Sequence, residues 1–194
     1  MMARIEQDND RLNLGAKKFN MWIFIFTSFM LFAALTSGFI VYSGGSGHGL
    51  NVILPGSFLY STVVIALSSV SLFLASRAAK QSQFDKQKLY LWITLGLGLA
   101  FFALQVYACY VLTFKMGIYF VDPNASRSFV YVFVGAHLLH ILAAVLLLIN
   151  TLIGTYRNIP QFKNMFKMEF TSIFWHFLDI IWIYLYVFLL LNHN

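Results

Sequence analysis

The stretch FTSIFWHFLDIIWIYLYVFLLL, residues 170–191, decides the fold of this chain. Only His176 and Asp179 in it can carry a charge. A helix rises ~1.5 Å per residue and the hydrocarbon core of a bilayer is ~30 Å thick, so about 20 apolar residues suffice to cross it. Four earlier stretches qualify in the same way: Phe19–Tyr42, Gly56–Arg77, Leu89–Thr113 and Phe129–Ile153. Their apolar runs are continuous and not alternating, which argues against a β-barrel, and buried backbone must then be satisfied within helices. The expectation is an all-α integral membrane protein, a bundle of five transmembrane helices.

Composition agrees. Of the 194 residues, 60% are hydrophobic, 18% aromatic and 10% charged, where a soluble domain carries roughly 25% charged residues. Disorder needs low hydrophobicity and is excluded. The single cysteine, Cys109, rules out a disulfide within the chain and any multi-cysteine zinc or iron–sulfur site. In its apolar span it reads as an inert core thiol. The first apolar run is longer than the ~7–15 residues of a signal-peptide core, and its leader is long and of mixed charge, so it reads as a retained span. No internal repeat or second domain is visible.

Eleven of the 13 basic residues fall on one side of these spans: Arg4, Arg11, Lys17 and Lys18, then Arg77, Lys80, Lys86 and Lys88, then Arg157, Lys163 and Lys167. Lys115 and Arg127 are the other two. The positive-inside rule places the N-terminus in the cytoplasm and the C-terminus, with the short tail 192–194, outside. The net charge of +6 is therefore a topology signal, with anionic lipid head groups as a candidate contact, and not a nucleic-acid signal. Residues 1–18 read as a loosely ordered cytoplasmic tail. Ser43–Gly49 reads as a flexible outer connector without the Gly-Lys-Ser/Thr ending of a phosphate loop. Trp22, Tyr42, Tyr60, Tyr90, Trp92, Tyr131 and Tyr156 lie near span ends, as interfacial anchors do. Small residues recur on the spans, among them Ala33, Gly38, Ser61, Ser68, Ser69, Gly98 and Ala144, and let helix backbones approach closely.

Ionisable groups inside a membrane are costly, so the few that occur are informative. His137 and His140 share a face of span four, and His176 and Asp179 share a face of span five that Trp182 extends. At ~1.5 Å per residue, His140 lies ~20 Å and Asp179 ~14 Å from the basic end of their spans, compatible with contact. Three readings follow: a buried hydrogen-bond network locking spans four and five, a metal or haem site, and a proton relay. The network is favoured, because spans one to three offer no further ligand. The serines sit at packing positions without a positioned base.

These residues resemble subunit III of the haem-copper respiratory oxidases, over nearly the whole chain from Met21 to Leu191. Trp175-His176-Phe177-Leu178-Asp179-Ile180-Ile181-Trp182 is similar to the family's Trp-His-Phe-x-Asp-x-x-Trp signature. Gly135-Ala136-His137-Leu138-Leu139-His140 resembles its Gly-x-His-x-x-His. Pro55, Ser61-Thr62 and Ser68-Ser69 follow its Pro…Asn-Thr…Ser-Ser order, Met21-Trp22-Ile23-Phe24 its first-span opening, and Gly98, Phe101 and Gln105 its Gly…Phe…Gln order. Five spans resemble the bacterial short form.

The resemblance implies a helical bundle with a V-shaped, lipid-holding cleft and an accessory role. Subunit I of such oxidases carries haem and copper and subunit II receives electrons. Subunit III contacts subunit I, supports proton uptake, protects against turnover inactivation and binds no redox centre. Two departures stand out: the family's first-span Ser-Glu pair falls at Thr27-Ser28, and the glutamate three residues after its span-three glutamine falls at Ala108. The reading is an accessory subunit of a bacterial cytochrome c oxidase in the plasma membrane, with no cofactor of its own. His137, His140, His176, Asp179 and Trp182 form its structural network. Trp22, Arg157, Lys163 and Lys167 are candidates for phospholipid head groups. Subunit I is the main partner, with subunit II and membrane lipid. The rivals are a subunit of a quinol oxidase or of a nitric oxide reductase, a small transporter or proton channel using the His/Asp cluster, and a haem-binding membrane protein.

Overall fold

The computed structural model describes residues 2–46, 56–114, 125–157 and 160–192, with the side chains of 2–14, 46, 57, 125–127 and 161 outside that description. Gly47–Gly49, Pro55, Lys115 and the last two residues, and the side chains of Arg4, Arg11 and Arg127, therefore lie outside the described residues. The described residues form five helices: α1 Met2–Ser46, α2 Ser57–Lys80, α3 Phe84–Phe114, α4 Ala125–Tyr156 and α5 Gln161–Leu191. Each carries an apolar segment long enough to cross a bilayer. The protein is an all-α, five-span membrane protein.

Two segments differ from expectation. Met2–Lys18, expected as a loose tail, is helical and continuous with the first span, as are Ser43–Ser46 of the expected connector. A preformed span supplies the nucleus whose cost otherwise limits short helices, so each added residue needs only propagation. Met2–Lys18 contains no proline and many good helix formers, including Ala3, Arg4, Glu6, Gln7, Arg11, Leu12 and Leu14. Helices also extend into the basic loops. α5 starts just after Pro160, whose carbonyl accepts the Lys163 and Asn164 amides at 2.9 and 3.1 Å. Between α2 and α3 the chain turns within three residues: Gln83 N–H donates to Ala78 O at 3.0 Å and Ser82 N–H to Ala79 O at 3.1 Å. These two bonds form a Schellman cap, with Ser82 in the left-handed region at φ 55°.

α2, α3, α4 and α5 close a ring, each packing on the next and α5 returning to α2, while α1 packs on α4 and α5 alone among the described residues. The ring is filled by Phe101, Phe133, Trp175, Leu178, Trp182 and Leu185. The outer faces carry exposed apolar side chains such as Leu67, Leu99, Leu139 and Leu142, as lipid-facing surfaces require and soluble monomers avoid.

Two contacts fix how the ring closes. A Cβ placed on Gly98 of α3 would lie 2.7 Å from Trp175 Cη2 of α5, so only a glycine admits the indole. At the basic end, Gln87 of α3 and Asn164 of α5 exchange amides: Asn164 Nδ2 donates to Gln87 Oε1 at 3.2 Å, and Gln87 Nε2 to Asn164 Oδ1 at 3.4 Å. Thr155 of α4 donates to the same Asn164 oxygen at 3.2 Å. All three side chains are buried, so three helices meet in a polar cluster with each amide satisfied on both ends.

Gly98→Ala is expected to lower stability by about 1–3 kcal/mol through overpacking against Trp175, read as an earlier thermal unfolding midpoint in mild detergent. Gln87→Leu leaves the Asn164 amide buried without its partner and is expected to cost about 1–3 kcal/mol. Pairing it with Asn164→Leu, which leaves no orphaned amide, should recover part of that loss. A double variant less stable than either single one would refute the cluster's role.

Candidate functional site

The five residues singled out for the intramembrane network fall into three places. His137 is fully buried among rings: Trp182 at 5.2 Å, Phe101 edge-on at 5.9 Å and Phe32 at 6.3 Å between centroids. Neither of its nitrogens has a hydrogen-bond partner among the described residues. His140, three residues on, looks elsewhere. Its Nδ1 lies 2.7 Å from its own helix's Ala136 carbonyl and its Nε2 3.2 Å from Ser28 Oγ on α1. A carbonyl only accepts, so Nδ1 donates its proton to Ala136, and Nε2 pairs with the serine hydroxyl.

His176 faces α2. Its Nδ1 lies 2.6 Å from Ser69 Oγ and 3.8 Å from Asp179 Oδ2. The Asp179 carboxylate is buried, and neither oxygen meets a hydrogen-bond partner among the described residues. A serine–histidine–aspartate relay needs the serine and the carboxylate on opposite ring nitrogens. Here both address Nδ1, so the arrangement is not a nucleophile with its base.

The expected lock between α4 and α5 is thus corrected. Of these residues only His137 and Trp182 meet across the two helices, with their rings tilted, while His140 ties α4 to α1 and the His176–Asp179 pair ties α5 to α2. Residues three apart on a helix are still about 60° apart around its axis. In a bundle where α4 touches three helices and α5 four, that is enough to aim the members of a pair at different neighbours.

The principal polar seam was not singled out from sequence. On α2, Ser61 and Thr62 recur seven residues later as Ser68 and Ser69. Trp182 Nε1 donates to Thr62 Oγ1 at 3.0 Å, Trp175 Nε1 to Ser68 Oγ at 3.0 Å, and Gln105 Nε2 of α3 to Ser61 Oγ at 2.8 Å. Ser61, Thr62 and Ser68 each donate their own hydroxyl proton to a carbonyl of α2, at 2.9, 2.8 and 2.7 Å. Their lone pairs remain for the incoming N–H. The signal was present in the sequence as two sevenfold spacings, of hydroxyl pairs on span two and of Trp175 and Trp182 on span five, the repeat of two helices packed side by side.

At the basic end, Lys18 Nζ of α1 and Glu169 Oε1 of α5 form an ion pair of 2.8 Å over a shallow groove lined by Met21, Phe166, Phe170 and Ile173. Of the head-group candidates, Trp22 and Arg157 are exposed, Lys167 donates to Asn150 Oδ1 at 3.1 Å, and Lys163 Nζ lies 5.6 Å from the Phe162 ring centre. Among the described residues no three of His, Cys, Asp and Glu converge as a metal would need.

Comparison with known proteins agrees with this architecture. The family model described as cytochrome c oxidase subunit III matches residues 11–192. Cytochrome c oxidase subunit 3 of Alkalihalophilus pseudofirmus is 28% identical over 178 residues, covering 89% of this chain and 85% of that protein. Its counterpart in Bacillus subtilis is 28% identical over 179 residues, covering 89% and 84%. Cytochrome bo(3) ubiquinol oxidase subunit 3 of Buchnera aphidicola is 28% identical over 192 residues, covering 95% and 90%. The chain belongs to the cytochrome c oxidase subunit III family, whose members are membrane-embedded subunits of haem-copper oxidase complexes.

Proposed function

We propose that this chain is the non-redox subunit III of a bacterial cytochrome c oxidase in the plasma membrane, with its N-terminus in the cytoplasm. There it braces subunit I, which holds the haem and copper where oxygen is reduced, beside subunit II, which receives electrons. The observation that carries the bracing role is how the buried polar side chains are used. In the α2–α5 seam and in the Gln87–Thr155–Asn164 cluster they bond across helices, which stiffens a scaffold. Phospholipid is the remaining ligand of this reading. Trp22, Arg157, Lys163 and Lys167 supply aromatic and basic groups at the basic end, beside the apolar side chains of Met21, Phe166, Phe170 and Ile173.

Two of the three relatives above bear the cytochrome c name, which supports that electron donor. A quinol donor is the second reading, favoured by the longer match to the Buchnera protein. Purification in mild detergent through a tag on this chain is expected to bring down a haem- and copper-bearing large subunit with tightly held phospholipid. A colourless, solitary chain would refute the assignment. Oxygen uptake by the purified complex should follow reduced cytochrome c; uptake supported only by quinol would move the chain to the second reading.

The scaffold reading also fixes an energetic expectation. A double-mutant cycle of Ser68→Ala with Trp175→Phe should give a coupling near 0.6 kcal/mol and no more than about 1.7 kcal/mol, the range for hydrogen bonds between membrane helices. Zero coupling would mean that the bond does not hold α2 to α5.

A further inference from the structure

Three places hold polar groups outside the indole–hydroxyl seam and the Gln87–Thr155–Asn164 cluster: the ring-lined His137, the Lys18–Glu169 groove, and the surface beside His176. The third carries an inference. His176 is 14 residues into the 30-residue apolar segment Phe162–Leu191, close to the middle of the span. Even so, its side chain is 33% exposed. Its one hydrogen bond among the described residues is through Nδ1, and Nε2 is neither bonded nor sealed from the surface. Behind it stands the buried, unbonded carboxylate of Asp179.

That surface is a strip of α5 between α1 and α2, which do not approach each other. Ile180 is 66% exposed on it, and small side chains lie one turn away along each helix: Ala66 before Ser69 on α2 and Ser172 before His176 on α5. Small residues let another helix backbone come close. An acyl chain there offers Nε2 nothing, and head groups and water lie half a bilayer away. A polar nitrogen left facing hydrocarbon is strongly disfavoured. The strip therefore fits a protein surface that brings its own hydrogen-bonding group.

We propose that the α2–α5 strip centred on His176 docks a transmembrane helix of another oxidase subunit, which presents a polar side chain to His176 Nε2. This rests on the reading of the chain as an oxidase subunit. Family membership supplies the class of partner, and the mid-bilayer position of Nε2 supplies the chemistry that partner must carry.

The test uses the assembled complex in native membranes. A photo-reactive benzoylphenylalanine is placed at the exposed Ile180 or Ala66, with the exposed Leu146 on the outer face of α4 as the reference position. Irradiation is expected to join the chain to another oxidase subunit from positions 180 and 66, at several-fold higher yield than from 146. Adducts only with lipid, or only with a second copy of this chain, from a complex that has assembled, would overturn the docking surface. A chain that assembles with no oxidase subunit would overturn the family-level role itself, and tracking complex formation separates the two failures. In a second arm, His176→Phe is expected to release the chain from the complex at a lower detergent concentration, and His176→Gln to restore retention. Equal retention by His176→Phe would count against a hydrogen bond at that point.

Discussion

A hydroxyl in hydrocarbon has no water to bond, so it must find protein partners for its proton and its lone pairs. The hydroxyls of α2 solve this in two directions. The proton goes back to a carbonyl of the same helix, and a lone pair accepts an N–H from α5 or α3. Indole N–H is a donor only and hydroxyl oxygen a ready acceptor, so the match has one polarity. The rest of the bundle follows from it. Trp175, held on Ser68, occupies the space that Gly98 leaves on α3. Trp182, held on Thr62, meets Phe101 of α3 edge-to-face and the tilted ring of His137 of α4. One seam between two helices thereby sets the positions of the other two helices of the ring.

Energy alone does not explain such a seam. Each interhelical hydrogen bond contributes only about 0.6 kcal/mol on average. Its force is in what it forbids. Sliding α5 along α2 by one turn, ~5.4 Å, would carry both indoles off their hydroxyls and bring Trp175 against side chains larger than Gly98. The apolar faces alone would tolerate that slide better, because lipid competes with protein for leucine and phenylalanine on nearly equal terms. Register is thus carried by a few polar atoms and one glycine, while the mass of apolar contact supplies general cohesion. The Gln87–Asn164 exchange does the same at the basic end, where the three helix ends would otherwise be free to splay.

The fold was legible because its cause is local: a span is apolar over its own length, and five such runs need no knowledge of their neighbours. The family signature was legible for the same reason, as residues at fixed spacings along one helix. What was not legible was direction. His137 and His140 read as one face, yet the first looks into the ring and the second to α1. His176 and Asp179 were rightly paired with each other, but their neighbour is Ser69 of α2, not span four. Partner choice depends on how each helix is rotated in the bundle, and the α2–α5 seam sets that rotation through matched spacings on helices far apart in sequence. Ser43–Ser46 and Met2–Lys18 were misread for another reason: composition suggested freedom where a neighbouring span had already supplied the helix nucleus.

The two positions where the resemblance leads one to expect glutamate show how this chain manages without a buried acid at either. Ala108 is fully buried on α3; a carboxylate there would need a partner in a closed apolar core, and a methyl group needs none. Ser28 takes the other position and meets His140 Nε2, a hydroxyl in place of a carboxylate. The consequence falls on α1, the helix outside the ring. It is tied along its length by the Lys18–Glu169 ion pair, the Ser28–His140 bond and the 2.9 Å Thr36–Tyr184 hydroxyl pair, with Phe24, Phe32 and Phe39 packed among them on the rings of Phe174, His140 and Phe188. Because α1 leans on α4 and α5 and leaves α2 untouched, it frames one side of the strip on which His176 is exposed. Its placement and the openness of that strip are therefore one geometric fact: had α1 packed across α5 onto α2, the histidine would have been sealed inside the chain, with no edge to offer another subunit.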